Sequence, residues 1–139
     1  MIQLILHLIG DYVTQSDWMA QNKTKDTLAA IVHATVYSLP FLLIGSMGAV
    51  GIIWTTHVAI DRWRLARYVV WVKNVVLHPM LLRGIDNDEQ AAEAKRLSWD
   101  NCKATGYPSA TPPWMAVWLM IIADNTIHLS INYAALRWL

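Results

Sequence analysis

Residues 48–63 read GAVGIIWTTHVAIDRW and join a long apolar run to one histidine and one aspartate. His57 and Asp61 stand four residues apart, which places their side chains on one face of a helix. Burying a polar group without a partner costs roughly several kcal/mol. The stretch therefore predicts an apolar helix whose polar pair meets partner side chains from elsewhere in the chain.

The composition of the whole chain favours a membrane protein. Apolar residues make up 55% of the 139 residues and charged residues 15%, against roughly 45–50% and about 25% in soluble domains. The eight tryptophans fit a protein with membrane–water interfaces, where indole rings concentrate. A net charge of +1 is not the footprint of a nucleic-acid-binding protein, and we expect no nucleic-acid partner. The alternative is a soluble helical domain with a large core.

Four apolar segments predict the architecture. They are residues 1–19, residues 27–45 with a kink at Pro40, residues 48–61 continuing into 62–72, and residues 112–139. The first is the weakest candidate, since a span needs about 20 apolar residues. We expect an all-α integral membrane bundle of about four helices, forming one domain over residues 1–139. A cytoplasmic amphipathic segment before residue 84 and a polar insert at about 84–112, with a surface helix at 88–103, complete the prediction.

The basic residues predict how this bundle is oriented. Every lysine and arginine except Arg137 falls in the two connections on one side of the predicted bundle. The positive-inside rule therefore places the polar insert in the cytoplasm and both termini outside.

A repeated pairing of histidine with aspartate is the main functional signal. Three segments carry the two residues at i, i+4, and a fourth segment carries a lone histidine. Ionisable groups at membrane depth face the bundle interior and are functional by default. Imidazole and carboxylate together bind zinc, manganese or iron, of which we expect zinc first. The predicted ligands are His7, Asp11, His33, His57, Asp61, Asp124 and His128. So many candidates predict either two metal ions or one ion with an outer shell of carboxylates.

These residues favour a metal-dependent hydrolase that acts on a phosphoester at the cytoplasmic face, with Asp11 or Asp61 as general base. Two alternatives stay open. The cluster is structural in a non-enzymatic membrane protein whose loop binds a partner, or it conducts protons, as chains of Asp and His do in transporters. A homo-oligomer is expected because a small bundle has little area in which to bury polar groups.

The motifs also resemble a known family. The stretches HLIGDYVTQSDWMAQNK, VHATVYSLPF and THVAIDRWRLARY resemble small membrane proteins of bacteria and their phages that share a domain of unknown function. The resemblance covers about residues 4–70. It implies a bacterial inner-membrane location, with a phage-encoded origin as one option, and shared motif residues His7, Asp11, Gln15, His33, His57 and Asp61. The pattern is more loosely similar to membrane-bound metal-dependent hydrolases related to zinc-dependent phospholipase C, which gather His and Asp from several helices.

Overall fold

The computed structural model describes residues 1–78 and 88–139, and this part of the chain is helical with no β-strand. The helices are α1 (Ile2–Leu8) followed by a π-helical turn (Ile9–Val13), α2 (Asp17–Asn22), α3 (Thr27–Ser38) followed by a 3-10 turn (Leu39–Leu43), α4 (Met47–Trp63), α5 (Leu65–Val76), α6 (Asp88–Arg96), α7 (Trp99–Cys102) and α8 (Pro113–Trp138). The predicted all-α class is confirmed. The end of the predicted amphipathic segment and the start of the polar insert fall at residues 79–87, outside the described residues.

Short polar side chains begin three of the helices. The side chains of Ser16, Asp26 and Ser46 accept hydrogen bonds from backbone N–H groups in the first turns of α2, α3 and α4. Such caps satisfy donors that lack an intrahelical partner. The cap at Ser46 therefore separates two apolar runs that follow each other closely in the sequence.

Two helix ends differ in how well the sequence predicts them. At Pro40 the α-helix gives way to the 3-10 turn, because proline lacks the N–H that would continue the α-helical pattern. The predicted continuation of the next helix through residue 72 is wrong, since α4 ends at Trp63. Arg64 there adopts a left-handed conformation (φ 52°, ψ 49°), and its N–H binds the carbonyls of Ile60 and Asp61.

The described chain divides into two compact units. The first contains Met1–Arg64 and Thr126–Leu139, and its apolar core includes Tyr37, Phe41 and Ile53. The second contains Leu65–Asn125. In this unit Gly106 (φ +83°) comes so close to α5 that a Cβ there would lie 2.3 Å from the Arg67 carbonyl. That one domain covers the whole chain stays a prediction.

Within the described part of the chain, α8 is the one helix long and apolar enough to cross a membrane. Its best 18-residue window has a mean hydropathy of 1.3, and 11% of that window is buried. The apolar helices Ile2–Val13 and Thr27–Leu43 are shorter. Because length and composition alone are weak evidence, the integral bundle of four helices stays a prediction.

Candidate metal centre

Four helical segments of the first unit bring polar side chains into its interior. The π-helical turn after α1 carries Asp11, α3 carries His33, α4 carries His57 and Asp61, and α8 carries His128. All five are buried, with no residue more than 8% exposed. Insertions of a π-helical turn into a helix are frequent at functional sites. The packing thus concentrates groups that are expensive to bury at one place.

Asp11, His33 and His57 place single atoms around a common point, and Asp61 lies beside both histidines. Nε2 of His33 lies 3.0 Å from Nε2 of His57, 3.2 Å from Asp11 Oδ1 and 3.3 Å from Asp61 Oδ2. Nε2 of His57 lies 3.5 Å from Asp11 Oδ1 and 3.2 Å from Asp61 Oδ2. In a tetrahedral zinc site with bonds of about 2.0–2.1 Å, neighbouring ligand atoms are about 3.3–3.4 Å apart. The five distances are therefore close to the ligand spacing of a zinc site, while no convergent group of the described residues contains both Asp11 and Asp61.

One carboxylate oxygen in this set lacks a hydrogen-bond partner. Asp11 Oδ1 is buried and accepts no hydrogen bond of normal geometry from the described residues, although imidazole nitrogens approach it closely, whereas Asp61 Oδ2 lies 2.9 Å from the Lys23 ammonium group. Leaving a buried acceptor unsatisfied is costly. An ion at the common point would give Asp11 Oδ1 a partner, so the residues present fit a divalent metal.

Charge balance points the same way. Asp11 and Asp61 bring two negative charges into the interior, and Lys23 brings one positive charge, with its Nζ 2.9 Å from Asp61 Oδ2. Lys23 lies between α2 and α3, and Arg62 holds this connection through hydrogen bonds to the Thr24 carbonyl and the Thr27 hydroxyl. Buried charges require compensation. A divalent cation would compensate the negative charge that Lys23 alone does not balance.

Aromatic packing holds the imidazole rings. Tyr37 stacks on His57 with ring centroids 3.8 Å apart, and the rings of His57 and His128 are 4.2 Å apart. The Nδ1 atoms of His33 and His57 are buried and make no hydrogen bond to any described residue. Ring orientation at the centre therefore depends on stacking, where metal sites ordinarily use a hydrogen bond at the second nitrogen.

A hydrogen-bond chain beside the centre connects Asn132, Tyr37 and His7. Asn132 Nδ2 donates to the Tyr37 hydroxyl at 2.6 Å, and the hydroxyl lies 2.7 Å from His7 Nδ1. A hydroxyl can donate one hydrogen bond and accept two, so either the Tyr37 hydroxyl or His7 Nδ1 is the donor in this contact. His7 Nδ1 is also 3.5 Å from Asp11 Oδ2. His7 therefore contacts the ligand Asp11 without belonging to the group of convergent ligands.

The predicted ligands separate into those that converge and those that do not. Among the described residues, two groups have ligand atoms all within 4.8 Å of one another: Asp11, His33 and His57, and then His57, Asp61 and His128. His7 and Asp124 belong to neither group, and Asp124 is half-buried in the second unit. Nothing in this geometry tests which residues act in catalysis.

The sequence did not predict two of the residues that contact the centre, Lys23 and Tyr37. Lys23 closes the motif HLIGDYVTQSDWMAQNK, but a lysine in a polar connection gives no sign that it points inward. Tyr37 stands one turn after His33 and hence on the same helix face, which is the signal that was available. Both are found only once the helices are packed.

The fold and the centre define an all-helical protein with a buried histidine–aspartate cluster able to hold a metal ion. The chain belongs to the family described as protein of unknown function (DUF3307), whose family model matches residues 1–82. This match contains Asp11, Lys23, His33, His57 and Asp61 and ends before α8. Comparison with curated proteins gave no significant match, and comparison with solved structures gave none either.

Proposed function

We propose that the protein is a membrane-embedded metal-dependent hydrolase that cleaves a phosphoester. The observation that carries the proposal is the convergence of Asp11 Oδ1, His33 Nε2 and His57 Nε2, with neighbouring distances of 3.0–3.5 Å. Three protein ligands with a further position for water or substrate are typical of catalytic zinc sites. Zinc is the expected ion, with manganese or iron as alternatives.

Asp61 is the better candidate for the general base. Its Oδ2 lies 3.2–3.3 Å from both histidine nitrogens, beside the position that the three ligands leave open. A bound divalent ion supplies Lewis acidity, which polarises the phosphoryl group and makes water a stronger acid. Hydrolysis joins the water oxygen to phosphorus and passes one water proton to the Asp61 carboxylate. The bond from phosphorus to the leaving oxygen then breaks, and that oxygen takes a proton from solvent.

The surface of the chain supports placement in a lipid bilayer, which is the proposed partner. On α8, Trp114, Trp118 and Ile122 are 69%, 62% and 57% exposed. In the second unit, the exposed face of α5 contains Leu65, Val69 and Val72 at helical spacing. Exposed apolar patches of this kind mark interaction or membrane surfaces. We place the chain in a bacterial inner membrane with its termini outside, as a homo-oligomer.

A structural metal site in a non-enzymatic protein is the second candidate, favoured by the same distances. If Asp61 Oδ2, which lies 3.2–3.3 Å from the two histidine nitrogens, serves as a fourth ligand, four protein atoms bind the ion. Closed four-ligand sites contribute to folding and leave no position for substrate.

Metal content is the first test. The detergent-purified full chain is expected to contain about one equivalent of zinc by elemental mass spectrometry. The His57→Ala/Asp61→Ala double variant is expected to lose it. His78→Ala is the matched control, because His78 lies in the second unit beside Glu93 and should leave the zinc content unchanged.

Activity and ligand counting then separate the two candidates. The zinc form is incubated with bis(p-nitrophenyl) phosphate, and X-ray absorption at the zinc edge counts its ligands. Turnover that the double variant lacks, with three protein ligands, supports the hydrolase. Four protein ligands and no turnover of this or other phosphoesters support the structural site. A wild-type chain that takes up no zinc, manganese or iron after reconstitution rules out both.

Membrane placement is tested on cells that express the chain. We expect it to stay in the membrane pellet after alkaline carbonate extraction, as an integral protein does. Release into the supernatant would contradict an integral bundle, whatever the metal content.

A further inference from the structure

Lys23 places its ammonium group inside the candidate centre although it belongs to the polar connection between α2 and α3. Its Nζ is 2.9 Å from Asp61 Oδ2 and 3.2 Å from His33 Nε2. Both of those atoms also surround the point where the metal ion is proposed. In the structure, Lys23 is therefore a cation in contact with atoms that a metal would bind.

The lysine also meets an imidazole that is proposed as a metal ligand. An ammonium group is a donor only, so its contact with His33 Nε2 at 3.2 Å uses the lone pair with which that nitrogen would bind a metal. The ammonium group and a metal ion therefore compete for the same atom.

The side chain of Lys23 is partly exposed and can move toward solvent. Its side chain is 18% exposed, while those of Asp61 and His33 are 4% and 0% exposed. The backbone on the C-terminal side of Lys23 is held by Arg62, which binds Thr24 and Thr27. A lysine side chain is flexible and carries its charge as a point at its end. The side chain can swing toward solvent while the connection stays in place.

We infer that Lys23 is the resident cation of the metal-free centre, and that a divalent ion exchanges with its ammonium group. The displaced ammonium then binds the anionic phosphate group of the substrate at the exposed side of the centre. Like charges a few ångströms apart in a poorly solvated site repel strongly, so the ion and the ammonium do not share the same contacts. The inference rests on the proposed function, because it takes the ion and the phosphoester from there.

Zinc affinity tests the exchange without any measurement of activity. The full chain in detergent competes for zinc with a chromophoric chelator, as wild type, as Lys23→Met and as Lys25→Met. Methionine keeps the length of the side chain and removes the charge. We expect Lys23→Met to bind zinc about tenfold tighter or more, because no resident cation has to leave. Lys25 is exposed in the same connection, and its variant should match the wild type.

Two further readouts use the same three proteins. Without metal, Lys23→Met should melt at a lower temperature than the wild type, since Asp61 loses its partner, and zinc should raise its melting temperature by more. With zinc bound, Lys23→Met should bind inorganic phosphate about tenfold more weakly, because one phosphate–ammonium contact is lost.

Each result has a definite meaning. Equal zinc affinity in wild type and Lys23→Met overturns the exchange while leaving the proposed metal site intact. Weaker zinc binding by Lys23→Met, with a lower melting temperature in both forms, means that the lysine only supports the fold. Tighter zinc binding with unchanged phosphate affinity overturns the role in anion binding. Absence of zinc from the wild type ends the proposed function and this inference together.

Discussion

Single atoms decide whether the interior of the first unit is a metal site or only a polar core. Tyr37 is fully buried, stacks on His57 and connects through its hydroxyl to His7 and Asn132. Gly10 makes this position available, because a Cβ there would lie 2.4 Å from the Tyr37 ring. Tyr37 is not a predicted ligand, but its ring orients the ligand His57. The ring in turn depends on Gly10, the residue before the ligand Asp11.

Gly10→Ala is expected to displace the Tyr37 ring and to lower the free energy of unfolding by about 1–3 kcal/mol, the usual effect of overpacking. Denaturant unfolding in detergent measures the change. Gly51→Ala is the control, since a Cβ at Gly51 meets nothing within 4 Å, and alanine within a helix gains about 0.5–1 kcal/mol over glycine. Equal stability changes in the two variants would mean that the contact with Tyr37 does not matter.

Tyr37→Phe tests the hydroxyl separately from the ring. The ring still stacks on His57, but two buried groups, His7 and Asn132, lose this hydrogen-bond partner. We expect a loss of about 1–3 kcal/mol in the free energy of unfolding, measured by the same denaturant titration. Tyr133→Phe, at a residue that is 56% exposed, should change stability by less than about 0.5 kcal/mol. A Tyr37→Phe variant as stable as the wild type would contradict the assigned hydrogen-bond chain.

At the scale of elements, the helix ends show where local sequence suffices. Apolar patterning and proline place the start of α8 and the change of helix type at Pro40 to within a residue or so. The end of α4 is different. Left-handed residues at helix ends are usually glycine, and here the residue is Arg64. No local signal marks that break, which coincides with the boundary between the two units along the chain.

The short helix α7 gives a prediction about the sole cysteine. Cys102 ends α7 with its side chain buried and its Sγ 3.7 Å from the Arg96 carbonyl. Burial raises the pKa of the Cys102 thiol, so less of the reactive thiolate is present at a given pH. Iodoacetamide at pH 8 should therefore modify the folded chain slowly and the denatured chain fast. Cys102→Ser gives the background, and fast labelling of the folded chain would contradict burial of the thiol.

At the scale of the molecule, the site links separate stretches of chain into one unit. Asp11, His33 and His57 come from three helical segments that are distant in sequence, and α8 adds His128. An ion held by Asp11, His33 and His57 stabilises the native state only, because these ligands are dispersed in the unfolded chain. Metal binding and folding of the first unit should therefore be coupled.

Zinc is expected to raise the melting temperature of the wild type measured in detergent, and a chelator should reverse the rise. At a free zinc concentration of 100 times Kd, the stabilisation is about 2.7 kcal/mol. His33→Ala should abolish the shift, while His78→Ala should keep it. A shift that survives in His33→Ala would place the ion elsewhere.

The sequence by itself determined the helical class, the approximate extent of α3 and α8 and the pairing of His57 with Asp61. Those features depend on periodicity and on the fixed 3.6-residue turn, which local residues specify. It also supplied five residues that converge, Asp11, His33, His57, Asp61 and His128, because ionisable groups in apolar helices must face other polar groups.

The tertiary structure alone decided which candidates share a point. It leaves His7 and Asp124 outside the two ligand groups, turns Lys23 inward and stacks Tyr37 on His57. Helix spacing says which residues share a face, but the contact between faces depends on how the whole chain packs. For the same reason, the contact of Lys23 with Asp61 becomes known only when the connection between α2 and α3 is packed against α4.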